Sequence, residues 1–272
     1  EVAGKGFIKL TSLFTDSATL TLISNTGPGK KNPVTSNIFD PTHALKFDMV
    51  GEDYSLGSIL SRREDGRLKL GGYVQKNASE AALVYFDGVL SRGTDTLYPY
   101  LDSTHPLGGG FVGRYSDSTH IYFTSILGSS YTLEYGPTLT AEYLYQDAGY
   151  TDAQAQQYYQ LRDSAAGQYD GPLAALSRQN LAMTLDTRSI FLRRRYIMLQ
   201  YVHAEIKSVL NLTFRWTQNL DDHSRVLNSI VDWSLNDHLQ LFALSSVNLG
   251  GEKTEFGSIS RWGFMFGIEY SL

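Results

Sequence analysis

Ten ionisable residues stand inside or beside segments whose apolar residues fall at every second position: Lys9, Lys46, Asp48, Lys69, Asp87, Glu134, Glu142, Arg215, Asp232 and Glu269. Successive side chains of a strand point to opposite faces, so each of these charges is turned away from its greasy neighbours. Four basic and six acidic groups on the polar face of a strand array could line an aqueous passage. They could also hold strands together by pairing, and that is the plainer reading of mixed charge across a lumen. Neither sign dominates, so no strong ion selectivity is written here.

A denser basic run, Arg193, Arg194 and Arg195, follows the longest non-strand stretch. Guanidinium groups grip phosphate, so this cluster reads either as an attractor of anionic solutes or lipopolysaccharide phosphates, or as a solvated strand end. The acidic pairs Asp221–Asp222 and Glu252/Glu255 offer oxygen ligands for a divalent cation, but lone loop carboxylates are more often plain surface. No metal or cofactor is expected.

A barrel phospholipase of this length would need a nucleophilic serine, a histidine base and an orienting group within reach. His223 directly precedes Ser224, so in an extended chain the two diverge, and His105 and His120 lie in a loop beside Ser103 and Ser118. No ordered triad, phosphate loop or dinucleotide fingerprint appears, and the chain reads as non-enzymatic.

The elements that must position these charges are strands. Alternating segments of roughly the 9–11 residues needed to cross a bilayer at a tilt recur along the chain. Leu45, Phe47 and Met49 alternate with Lys46 and Asp48, and Leu139, Ala141, Tyr143 and Tyr145 with Thr140, Glu142 and Leu144. Leu210, Leu212, Phe214 and Trp216 alternate with Asn211, Thr213, Arg215 and Thr217. Thirteen such segments are found. Phe191–Glu205 is strand-like with an ambiguous phase.

Tight connections at 15–17, 51–53, 77–80, 136–137, 205–208 and 236–237 alternate with longer ones at 26–42, 93–119, 149–190, 220–224 and 250–260. Short turns on one rim and long loops on the other is the layout of an outer-membrane barrel. Within the longest loop, the stretch after Thr151 predicts one short helix, capped by Thr151 or Asp152 and stopped at Gly167. It would stiffen the loop or constrict a pore.

Composition agrees. The 272 residues include 18 Tyr, 13 Phe and 25 Gly but only 7 Pro. A net charge of −5 argues against a nucleic-acid partner. The absence of cysteine excludes disulfides and thiol chemistry. Tryptophan and tyrosine cluster near strand ends on the greasy parity, which suits a membrane–water interface.

The final strand runs from Arg261 to Leu272. Trp262, Phe264, Phe266, Ile268, Tyr270 and Leu272 share one parity. Its Gly267, Tyr270 and Leu272 resemble the terminal assembly signal of outer-membrane barrels, with Leu in place of the usual terminal Phe or Trp. The second half of the chain, from Y-T-L-E-Y-G-P through N-L-D-D-H-S and L-N-D-H-L-Q-L to G-G-E-K-T-E-F-G, resembles porin-like barrels of Gram-negative bacteria.

That resemblance implies an all-β fold, an antiparallel transmembrane β-barrel of about 12–14 strands in one domain, with a short helix in an extracellular loop. It implies a bacterial outer-membrane location. The partners are outer-membrane lipid and lipopolysaccharide, the barrel assembly machinery, and a second copy or an envelope protein. The expected function is a channel for small polar solutes or an exported substrate, with a non-conducting scaffold, adhesin or partner subunit as the alternative. Thirteen strands counted back from a periplasmic C-terminus leave Glu1 outside, whereas such barrels have even strand numbers. Sequence before Glu1 is therefore expected to add a strand, unless 93–122 conceals one.

Overall fold

A computed structural model describes residues 6–27, 41–64, 66–113, 120–258 and 260–271. Thirteen strands of 9–12 residues form one antiparallel sheet. In order they are β1 (Gly6–Thr15), β2 (Ala18–Gly27), β3 (Thr42–Val50), β4 (Tyr54–Arg63), β5 (Leu68–Asn77), β6 (Ala82–Arg92), β9 (Ile121–Thr132), β10 (Thr138–Gln146), β11 (Arg195–Ile206), β12 (Leu210–Asn219), β13 (Arg225–Asn236), β14 (Leu239–Leu249) and β15 (Trp262–Tyr270). Each pairs with its neighbours in sequence. Segment 93–120 interrupts this meander with a separate hairpin of β7 (Leu97–Leu101) and β8 (Gly109–Gly113). The thirteen expected segments are the thirteen strands of the large sheet, and the described residues of 93–120 add no further strand to it.

The register sorts every side chain to one of two faces. Trp262, Phe264, Phe266, Ile268 and Tyr270 of β15 stand opposite Val247, Ser245, Ala243, Leu241 and Leu239 of β14. The same face continues through Leu227, Val231 and Trp233 to Leu212, Phe214 and Trp216. From there it runs on through Leu199, Ala141, Leu127, Phe86, Val74, Leu60, Leu45, Leu22 and Leu10.

These apolar side chains are bare. Trp262 is 71% exposed, Phe264 65% and Ile268 62%. In water such a surface would be an aggregation site far beyond the few hundred Å² that soluble monomers show. In a bilayer it is the lipid-facing belt. The total accessible surface, 17233 Å², also exceeds the about 12,000 Å² expected of a solid globule of this mass. Both faces of the sheet are open, and its interior is not a packed core.

The two rims differ as the sequence predicts, with one departure. The tight turns lie on one rim and the long connections on the other, but Glu64–Arg67 between β4 and β5 is a tight connection on the long-loop rim. The helical loop holds two helices instead of one. In α1 (Asp152–Gly167) the Thr151 hydroxyl accepts the Gln154 amide at 3.3 Å, and the Gln154 side chain accepts the Thr151 amide at 2.9 Å, a reciprocal capping box. The additional helix, α2 (Ala174–Leu185), begins at Leu173 with no side-chain cap, so no start signal stands in the sequence.

Candidate functional site

Nine of the ten charged candidates, all but Glu134, lie on the face opposite the apolar belt. Lys46 and Asp48 alternate with Leu45, Phe47 and Met49 along β3, while Arg215, Asp232 and Glu269 stand opposite Asn228, Asn211 and Gln240. Glu134 does not join them. Strand β9 ends at Thr132, so Glu134 is an exposed residue of the turn bonded by the Gly136 amide to the Leu133 carbonyl. The alternation L-E-Y runs past the end of the strand and carried the expectation with it.

Several of these charges are engaged sideways. Tyr73 lies across Gly57, its register partner, and donates its hydroxyl to Asp48 on the next strand at 2.7 Å. Lys46 pairs with the same carboxylate at 2.9 Å. Tyr85 repeats the arrangement over Gly128, reaching Glu142 at 2.5 Å. Phe242 covers Gly267 in the same way. Only glycine leaves room: a Cβ at these three positions would sit 2.4, 2.2 and 2.1 Å from the ring. Arg215 is held by Gln200, whose side-chain oxygen accepts from Nε at 2.8 Å and from a terminal nitrogen at 2.6 Å. Lys69, Asp87, Asp232 and Glu269 make no ion pair with a described residue.

The β10–β11 and β14–β15 loops fold onto this polar face at one end. Gln146 donates its side-chain amide to the Phe191 and Arg193 carbonyls, both at 2.6 Å. Tyr196 stacks on Phe191 at 4.4 Å and meets Phe256 edge-on. Asn219 donates to Glu255 at 2.8 Å. Gln146, Tyr196 and Asn219 all belong to the polar parity at the long-loop ends of their strands. The loops therefore enter the mouth of the array and do not flare away from it.

What holds them is a small core of their own. Tyr98, Tyr150, Ala155, Tyr158, Tyr159 and Leu192 are buried together, with Phe111 against them. Three of its four phenols are satisfied by carbonyls, Tyr98 by Ala148 at 3.0 Å, Tyr158 by Thr184 at 2.9 Å and Tyr150 by Leu97, while the buried Tyr159 hydroxyl has no partner among the described residues. Arg162 on α1 bonds the Glu252 and Ser258 carbonyls, tying the helix to the loop between β14 and β15. A cavity of about 250 Å³ remains between this assembly and the sheet, lined by Lys69, Ser91, Thr124, Gln146, Asp95 and Arg188 among others.

Glu255 is the buried charge of this assembly. It accepts from the Leu192 amide at 2.8 Å and from Tyr196 at 2.5 Å besides Asn219. Burial pushes its carboxyl up to about 7, outweighing the hydrogen bonds that stabilise its ionised form, and Asp222 nearby adds to the rise. Asp222 accepts the Glu255 amide and the Ser224 hydroxyl. Asp221 accepts from Arg195 and from the amides of Arg194 and Arg195. Burial pushes its carboxyl up, but these bonds win and hold it below the usual range. Asp221, Asp222 and Glu255 are thus oriented into the fold, whereas Glu252 is exposed.

The arginine run does not form one patch. Arg193 pairs with Asp152 at the start of α1, Arg194 bonds the Gly149 carbonyl at 3.0 Å, and Arg195 turns outward to Asp221 at 2.7 Å. Strict alternation fails because Arg193 and Arg194 precede the strand. Of the terminal signal, Gly267 lies under Phe242 and Tyr270 is exposed on the apolar face, while Leu272 lies outside the described residues.

No family model and no curated sequence matches the chain. Solved structures do. OccAB1 of Acinetobacter baumannii aligns with a TM-score of 0.61 at 10% identity, over 97% of this chain and 67% of that one. The outer membrane protein OprD of Pseudomonas aeruginosa gives 0.52 at 11%, over 96% and 67%. OccK8 (OprE) of the same organism gives 0.51 at 12%, over 96% and 68%. The chain spans about two thirds of the length of these proteins. It has the antiparallel β-barrel fold of the outer membrane protein OprD.

Proposed function

We propose that the chain acts in the bacterial outer membrane as a channel for small polar solutes, constricted by its own inward-folded loops. The observation that carries this reading is the placement of Gln146, Tyr196 and Asn219, which clamp the long loops onto the polar face while the opposite face is bare and apolar. A polar face walled by lipid-facing strands is an aqueous passage, and the loops narrow its mouth. Planar-bilayer recording of the refolded chain tests it. Discrete conductance steps are expected, and larger ones once residues 152–185 are replaced by a short linker. Absence of steps in both forms overturns the reading.

The second reading is a non-conducting barrel serving as scaffold, adhesin or partner subunit. The dense tyrosine core of the loop assembly favours it, because a packed plug seals better than a flexible loop. Steps seen only after the deletion would select it.

A further inference from the structure

The polar face is not polar throughout. Across β13, β14 and β15, Ile230, Leu244 and Met265 are register partners in one row, and they share the parity of Arg215. Ile230 is 38% exposed there and Met265 55%. Lipid does not reach them, because Phe264 and Phe266 on either side of Met265 point to the other face. Taking apolar surface out of water is favourable, so these three side chains form a wall that favours an apolar occupant.

The next row toward the long loops is polar, with Arg215, Asn228 and Ser246 as successive register partners. It ends at Gly263, where a Cβ would meet nothing within 4 Å, so the row opens into free space. Between the two rows lies a hollow of about 400 Å³, lined by strand residues of β12 to β15. Arg215 lies about 13 Å along β12 from the loop clamp at Asn219, so the hollow sits beneath the mouth. An apolar wall with a few polar groups and this volume is the make-up of a small-molecule site. The polar row has unused bonds. Gln200 takes Nε and one terminal nitrogen of Arg215 on a single side-chain oxygen, and the other terminal nitrogen bonds no described residue. The half-buried side chains of Asn228 and Ser246 bond none either.

We propose that this hollow binds an uncharged carboxamide with a compact aromatic or branched aliphatic body. The body lies against Ile230, Leu244 and Met265, and the amide lies across Arg215, Asn228 and Ser246. This narrows the solute class of the channel reading above and rests on it. The polar row offers donors from Arg215, and both donors and acceptors from Asn228 and Ser246. A carboxylate would leave the Asn228 side-chain oxygen without a donor. A carboxamide serves both senses, its carbonyl on Arg215 and its N–H on Asn228 or Ser246. Gln200 already shows this guanidinium paired with a neutral amide oxygen. Met265 suits an aromatic body, because its thioether makes favourable ring contacts and its unbranched chain adapts to shape.

The test dialyses radiolabelled benzamide to equilibrium against the full chain folded in detergent micelles, with uptake by protein-free micelles subtracted. Heat-dependent gel migration scores folding separately. Saturable binding is expected, with acetamide and benzoate competing ~10-fold or more weakly, because one lacks the apolar body and the other the matching head. Leu244→Ser, Met265→Ser and Asn228→Leu are each expected to weaken binding ~10-fold, and Ala243→Ser on the lipid-facing side to leave it unchanged. Benzoate competing as well as benzamide overturns the amide assignment, and acetamide doing so overturns the apolar wall. Both comparisons use the unaltered chain and stand even where a variant fails to fold. Non-saturable uptake, or binding untouched by Leu244→Ser in folded protein, overturns the site. The assay needs no conductance, so saturable binding in a chain that shows no current steps would remove the channel reading and leave the site standing.

Discussion

Tyr85 reaches over Gly128 and hydrogen-bonds Glu142 two strands away at 2.5 Å. One side chain thereby braces three strands, and Tyr73 over Gly57 does the same toward Asp48. The polar face owes some of its charge to this bracing and not to selectivity.

Gly128→Ala places a methyl group where the Tyr85 ring lies, so the ring must swing off and release Glu142. The loss expected is about 1–3 kcal/mol, the cost of a partly buried carboxylate deprived of its donor. Tyr85→Phe should cost a similar amount, and the double variant little more than either, because both remove one bond. Urea unfolding of the three variants in vesicles checks this. Additive losses would show that ring and glycine act separately.

Ala243 and Leu244 are neighbours on β14 that face opposite ways, Ala243 beside Phe266 and Leu244 beside Met265. Ala243→Arg is expected to cost about 2–4 kcal/mol near the bilayer centre, while Leu244→Arg on the polar face costs far less. Refolding titrations into vesicles give both numbers. Equal costs would mean that the two faces meet the same medium.

The strands were legible because period-two alternation survives any lumen chemistry, and the structure returns thirteen of them. The failures have local causes. Glu134 was misplaced because L-E-Y continues the alternation past the last strand residue into a turn. Helix α2 was missed because Leu173 supplies no capping side chain. The β7–β8 hairpin is five residues a side, and Gly109 and Gly110 blur its pattern. The clamps Gln146, Tyr196 and Asn219 sit at strand ends on the polar parity, which is visible in sequence, but nothing there says that two loops far apart in sequence converge on them.

Glu255 makes the loop assembly sensitive to pH. Its carboxyl lies at about 7 in the fold against 4.5 in an open chain, so between those values the folded state binds more protons. Stability is then greatest below about 4.5 and falls as pH rises through 7. Tyr196, Asn219 and the Leu192 amide face the carboxyl as donors, and Asp222 repels it from its own loop. Trypsin cleavage at Arg162 and Arg178 on the helices is expected to be faster at pH 8.5 than at 5.5. Glu255→Gln should flatten the difference, and a wild-type rate independent of pH would dismiss the effect.

The loop assembly should also melt apart from the sheet, because its core is its own. Leu161 on α1 is 1% exposed and lies beside Gly109 of β8, and its helix packs on α2 and β7. Leu161→Ala removes three buried carbons and leaves a cavity, at a cost of about 2–5 kcal/mol. That loss falls on a unit held to the strands by a few hydrogen bonds at Gln146 and Asn219, the Tyr196 stack and loop tethers such as Arg162. The sheet, secured strand by strand through its ladder, is unaffected by it. Heat-dependent migration of the folded barrel in detergent gels should therefore be unchanged in Leu161→Ala, while hydrogen exchange of the α1 amides accelerates at least tenfold and mean conductance rises. If the barrel band and the α1 protection are lost together, the loops and strands form one cooperative unit, and the mouth cannot open without unfolding the wall.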